Sequence, residues 1–141
     1  MTQHLEYDAV VAINRAYGGP GAGVADANGI MSAISKPAQT WAGADLYTTV
    51  WHKAACLLRG LAAAQYFHDG NKRTAYVCTE TFLNLNGIAL KRQSVIFDEV
   101  FVRGVAAGAI PLDKAAEWFA TRRTWWSFKS GYVAPDDADA T

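Results

Sequence analysis

The residues with the clearest chemical capacity lie in one stretch, Gln65-Tyr66-Phe67-His68-Asp69-Gly70-Asn71-Lys72-Arg73-Thr74. Gly70 frees the backbone for a tight turn, and Asn71 is a suitable cap for a helix that follows it. The first N–H groups of that helix, from Lys72, Arg73 and Thr74, lack intrahelical partners. With the positive end of the helix dipole they form an anion site. Arg73 adds a forked guanidinium and Lys72 a point charge. Asp69, just before the turn, is a carboxylate placed to hold a divalent cation that bridges phosphates. An anion nest, two cations and a metal-capable carboxylate together suit a nucleoside triphosphate.

A purely structural account of the same residues also exists. Asp-Gly-Asn is an ordinary turn and cap sequence, and Lys-Arg in a first helical turn is often a solvated face. Placement argues for function, because Lys72 and Arg73 stand where the helix dipole repels cations. An anionic partner explains them better than helix stability does.

These residues need elements to hold them, and glycine and proline mark where those elements end. Leu5 to Tyr17 reads as a helix with Val10, Ile13 and Tyr17 on its apolar side, stopped by Gly18-Gly19-Pro20. Gly18 to Gly23 then reads as a flexible loop. Asp26 to Ser35 is a short helix capped by Asp26 or Asn28, and Pro37 to Ala44 an exposed loop around Trp41. Asp45 is the expected cap of a central helix, with Leu46, Val50, Ala54, Leu57, Leu58, Leu61 and Ala64 at helical spacing, running to Gln65 or Tyr66. A second central helix starts at Asn71, carries Ala75, Cys78, Phe82 and Leu85 inward, and ends at Gly87. Ile88 to Lys91 reads as extended, Ser94 caps a helix through Val105, and a last helix runs from Asp113 to near Arg123. The class is all-α, a single-domain helical bundle whose two central helices flank the motif loop.

The 141 residues allow one domain, assigned to 1–123, with 124–141 as an extension. That extension holds Trp125, Trp126, Phe128 and Tyr132, expected to fold over the core, and a disordered acidic tail from Gly131. Thirteen Lys and Arg balance thirteen Asp and Glu, so a broad basic footprint for nucleic acid or an anionic membrane is not expected. No apolar stretch approaches the roughly 20 residues that span a bilayer. Met1 to Glu6 shows no signal-peptide pattern, which points to the cytoplasm. Cys56 and Cys78 sit in apolar helical patterns and read as structural thiols.

The motif resembles the signature of the Fic/Doc family, His-x-Phe-x-Asp-Gly-Asn-Lys-Arg, in the version of the Doc (death on curing) toxin branch. The resemblance continues in Lys36-Pro37-Ala38-Gln39-Thr40-Trp41, Asp45-Leu46-Tyr47, Lys53-Ala54-Ala55 and Phe82-Leu83-x-Leu85-Asn86-Gly87, and spans residues 5 to 123. It implies a small all-α Fic core and transfer of part of ATP to a protein hydroxyl. The AMP-transferring branch usually has glycine after the Asn and a second arginine three residues beyond the first. Here Lys72 and Tyr76 stand at those places. The Doc branch implies kinase-type transfer of the γ-phosphate to elongation factor Tu. By position, Asp69 would serve Mg²⁺, and Asn71, Lys72 and Arg73, with Gly70, would hold phosphates of ATP. Phe67 would anchor the loop, and residues near Thr40 to Ala44 would be the flap that aligns a target segment as an added strand.

One departure bears on catalysis. The family's first motif residue is a histidine that takes the proton from the attacking hydroxyl, and here it is Gln65. A carboxamide has no useful pKa, so Gln65 is no general base. It can still orient a hydroxyl, because phosphoryl transfer relies on positioning and charge stabilisation. His68 reads as a loop-packing or surface residue rather than a substitute base, and His4 and His52 as surface or helix-packing residues. The family's self-inhibitory pattern, Ser/Thr-x-x-x-Glu-Gly/Asn, fails in Thr2-Gln3-His4-Leu5-Glu6-Tyr7 at Tyr7. Its absence implies a separate Phd-like antitoxin chain or no restraint. Two functions are therefore in view: a Doc-like phosphotransferase impaired or altered by Gln65, and a catalytically silent Fic-fold protein that binds a nucleotide or a partner chain.

Overall fold

The structure of the protein is a computed structural model that describes residues 1–91 and 95–123, the side chains of 95–97 apart. The expected cap Ser94, the cluster Trp125, Trp126, Phe128 and Tyr132, and the extension over 124–141 lie outside the described residues. The helices are α1 (Tyr7–Tyr17), α2 (Ala27–Ser35), α3 (Val50–Ala62), α4 (Asn71–Leu85), α5 (Val95–Ala106) and α6 (Leu112–Arg122). A 3-10 turn over Lys36–Ala38 and a two-stranded hairpin, β1 (Thr40–Trp41) and β2 (Ala44–Asp45), lie between α2 and α3. The fold is all-α apart from that hairpin.

Ten of the thirteen residues of α3 are buried, so this helix is apolar nearly all round and occupies the centre. It packs against α2, α4, α5 and α6, while α1 lies on α4. Leu57, Leu58 and Leu61 of α3 meet Phe82 and Leu83 of α4 in one continuous core. Phe101 of α5 stacks on Trp118 of α6 at 3.6 Å between ring centroids, and Phe119 meets Phe101 edge-on. The N-terminal segment is strapped to the end of α4 by the buried Asn86, whose side chain both accepts from Gln3 N–H and donates to Gln3 C=O.

Several boundaries differ from the sequence expectation. The central helix begins at Val50, not after Asp45. Thr49 is its cap, accepting from His52 N–H, because Asp45 is drawn into strand pairing with Thr40. Leu46 is consequently half exposed. The helix ends at Ala62, which leaves Gln65 in the loop that follows. The expected loop over 37–44 is instead the 3-10 turn and hairpin. Ala42 and Gly43 supply the two positive-φ residues that such a tight turn requires. Leu85 and Tyr17 are exposed rather than inward. Among the described residues no helix is long and apolar enough to cross a membrane.

Cys56 and Cys78 are buried and unbridged. Burial pushes both thiols up, Cys78 from 9.0 to about 12. The folded state thus keeps a Cys78 proton that the unfolded chain releases above pH 9.0. Stability from this group is full below that pH and is lost as pH climbs toward about 12. At pH 8 neither thiol should react with a maleimide in the native protein, and both should react in denaturant, as counted by mass spectrometry. Rapid native labelling would contradict the burial.

Candidate functional site

The motif loop runs from the end of α3 to the start of α4 and is fixed over residues 66–68 by backbone hydrogen bonds. Tyr66 C=O accepts from Ala25 N–H at 2.9 Å and Asp26 N–H at 3.0 Å, and His68 N–H donates to Gly23 C=O at 2.9 Å. Phe67 pairs with Val24 in an antiparallel bridge and is 2% exposed. The loop is therefore a short extended strip laid against residues 23–26. Phe67 turns into the core, while Gln65 and His68 are exposed.

Asn71 does not cap α4. Gly70 holds the cap position in the left-handed conformation, φ +69°. A Cβ there would also lie 2.4 Å from Gly18 Cα, so the position admits little else without movement. The Asn71 carboxamide instead closes the loop on itself, accepting from Phe67 N–H at 3.0 Å and donating to Phe67 C=O at 2.9 Å. Its side chain shapes the loop, and its backbone N–H remains for an anion. Thr74 N–H, expected to be free, makes the first helical bond to Gly70 C=O at 2.8 Å. The N–H groups of Asn71, Lys72 and Arg73 precede that bond and form the open end of the helix.

Three charged groups surround this end. Lys72 and Arg73 are exposed, and Arg73 Nη1 donates to the Tyr17 carbonyl at the end of α1 at 3.2 Å, which sets the guanidinium beside the helix start. Asp69 Oδ1 accepts from Gly70 N–H at 2.8 Å. Its other oxygen faces the glycine loop, where a Cβ on Gly19 or Gly21 would come within 3.3 Å of it. The described residues hold no group of three or more His, Cys, Asp or Glu able to cage a metal. One carboxylate fits Mg²⁺, which keeps waters and takes substrate phosphates as further ligands.

A residue absent from the sequence reading organises the whole site. Asn14 of α1 is 1% exposed. Its Nδ2 donates to the Asp69 carbonyl and to Thr74 Oγ1, both at 3.0 Å, and its Oδ1 accepts from Gly23 N–H at 2.9 Å. One carboxamide thus joins the motif loop, the first turn of α4 and the glycine loop. The signal was an asparagine one helical turn after Val10, on the face expected to be apolar. The glycine loop it binds is a wall of the site rather than a free linker. The remaining histidines lie elsewhere. His52 bridges Thr49 Oγ1 and Asp113 Oδ1 at 2.7 and 3.1 Å. His4 is half-buried at Phe82, and burial, then the Lys53 ammonium, hold its imidazole below the ordinary range.

Comparison with known proteins places a chain with this open helix start, glycine turn and adjoining carboxylate in a family. The Fic/DOC family model matches residues 4–83. The chain belongs to the Fic/DOC family. It is 41% identical over 91 residues to Toxin Doc of Mycolicibacterium smegmatis, an alignment covering 64% of this chain and 69% of that protein. That similarity puts it in the Doc branch of the Fic/DOC family, and the motif loop and hairpin fall inside the residues 4–83 that the family model matches.

Proposed function

We propose that this chain is a Doc-type protein phosphotransferase, slowed or altered by Gln65, which binds Mg·ATP at the start of α4 and directs its γ-phosphate to a protein hydroxyl. The observation that carries the proposal is the open N-terminus of α4, with Asn71, Lys72 and Arg73 N–H groups ahead of the first helical bond and Asp69 beside them. Backbone N–H groups and the Arg73 guanidinium would take phosphate oxygens. Asp69 would hold Mg²⁺, which when bound offsets the phosphate charge. Gln65, exposed at the start of the loop, would orient the attacking hydroxyl without removing its proton. The exposed β1–β2 hairpin offers a strand edge on which a target segment can be laid. Elongation factor Tu is the target proposed, in the cytoplasm, with a Phd-like antitoxin as the restraining partner.

Gln65 favours a second reading, in which the pocket binds a nucleotide or an antitoxin and does no chemistry. The first reading, and the second wherever the pocket holds a nucleotide, require the phosphate cradle. Arg73→Ala should weaken ATP binding by roughly tenfold or more, the loss expected for a charge-assisted hydrogen bond. Isothermal calorimetry with Mg·ATP reads this directly. Unchanged affinity would refute the cradle, and absence of any thermal shift with nucleotide would leave partner recognition alone.

A further inference from the structure

Lys53 lies in the first part of α3 and is 2% exposed. An ammonium so placed is costly unless it is paired and hydrogen-bonded. Its Nζ donates to Asp45 Oδ2 at 3.1 Å and to the Tyr47 carbonyl. Both acceptors belong to the chain leaving the hairpin: Asp45 is the last residue of β2, and Tyr47 is two residues further. The Asp45 side chain is 54% exposed against 3% for Lys53, so one end of the pair is fixed in the core and the other is on the surface element.

Besides that pair, the Tyr47 side chain is hydrogen-bonded to Cys56 of α3 and the 3-10 turn ahead of β1 packs on α3 with Pro37 buried, so the hairpin is held from its base. Its ladder is Thr40 opposite Asp45 and Trp41 opposite Ala44, extended by Leu46 N–H to Gln39 C=O at 2.9 Å. All four strand residues are exposed, and Trp41 is 78% exposed. Isolated two-stranded hairpins are marginal in water. The structure assigns Lys53 a positioning role: its buried ammonium latches the base of the β1–β2 hairpin to α3 and holds the strand edge where a target segment can add to it. The latch deepens the proposed function, since the docking role of the hairpin rests on that reading.

Amide hydrogen exchange on the full chain tests the latch without any substrate. Lys53→Met keeps the stem and removes the charge, and should speed exchange across residues 40–46 by roughly tenfold or more while α4 keeps its protection. Asp45→Asn, made at an exposed carboxylate, should give a smaller change in the same segment, and the double variant should exceed Lys53→Met little. Asp45→Asn keeps the test decisive if Lys53→Met folds poorly. Unchanged hairpin exchange in both variants, or faster exchange spread evenly over α3 and α4, overturns the latch. In a Gln65→His background, Lys53→Met should raise KM for elongation factor Tu and leave KM for ATP unaltered. A shift in KM for ATP alone contradicts the docking role. Loss of all transfer in the Gln65→His parent would count against the phosphotransfer reading, while the exchange result still decides the latch.

Discussion

Replacing Gln65 by histidine is expected to raise phosphate transfer from ATP to a protein hydroxyl by about 10²–10⁴-fold, the usual contribution of a positioned general base. The expectation rests on how little else the change disturbs. Gln65 is exposed, so a histidine meets no packed neighbour there. The backbone just beyond it is fixed by the two bonds to Tyr66 C=O and by the buried Phe67. A histidine at this position would start from the geometry that the loop already has. Single-turnover rates of the two forms measure the effect. The pH profile gives an independent sign, because the histidine form should gain a rising limb near the imidazole pKa of about 6.5, which a carboxamide cannot produce. Equal rates and matching profiles would mean that proton removal does not limit transfer in this pocket.

Asn14→Ala should be the most damaging single change at the site that touches no ligand. It leaves Gly23 N–H, the Asp69 carbonyl and Thr74 Oγ1 without their shared partner, and two of these lie in the motif loop and α4. Unsatisfied buried groups cost about 1–3 kcal/mol each, and with partial relaxation the variant should lose about 3 kcal/mol in a denaturant titration. Mg·ATP affinity should fall further than stability alone explains, since Asp69 and the glycine loop lose their common anchor. Asn14→Asp separates the contacts. It retains an acceptor for Gly23 N–H but turns a second acceptor toward the Asp69 carbonyl, so it should keep the glycine loop and loosen the motif loop. Wild-type stability and affinity in Asn14→Ala would show that the three segments hold together by packing alone.

The helices were legible because each core face has a strong period: Leu57, Leu58 and Leu61 in α3 and Ala75, Cys78 and Phe82 in α4 are buried where their spacing puts them. Helix starts were harder. Asp45 is a good cap by type, yet its pairing with Thr40 and its bond to Lys53 commit it to the hairpin, and Thr49 caps instead. Asn71 looked like a cap for the same reason, and its carboxamide is used on Phe67. In both cases a polar side chain had two local uses, and the choice depended on partners that only folding brings near. The hairpin itself has no alternating pattern, because both faces of its two-residue strands meet solvent. Asn14 was missed because its partners are 9, 55 and 60 residues away.

Transfer of label from γ-labelled and α-labelled ATP to purified elongation factor Tu, by this chain and by its Gln65→His form, separates a phosphotransferase from a silent protein. Label is expected from the γ-position, weak with Gln65 and strong with histidine, and none from the α-position. Label from the α-position, or none from either form, would contradict a Doc-type phosphotransferase.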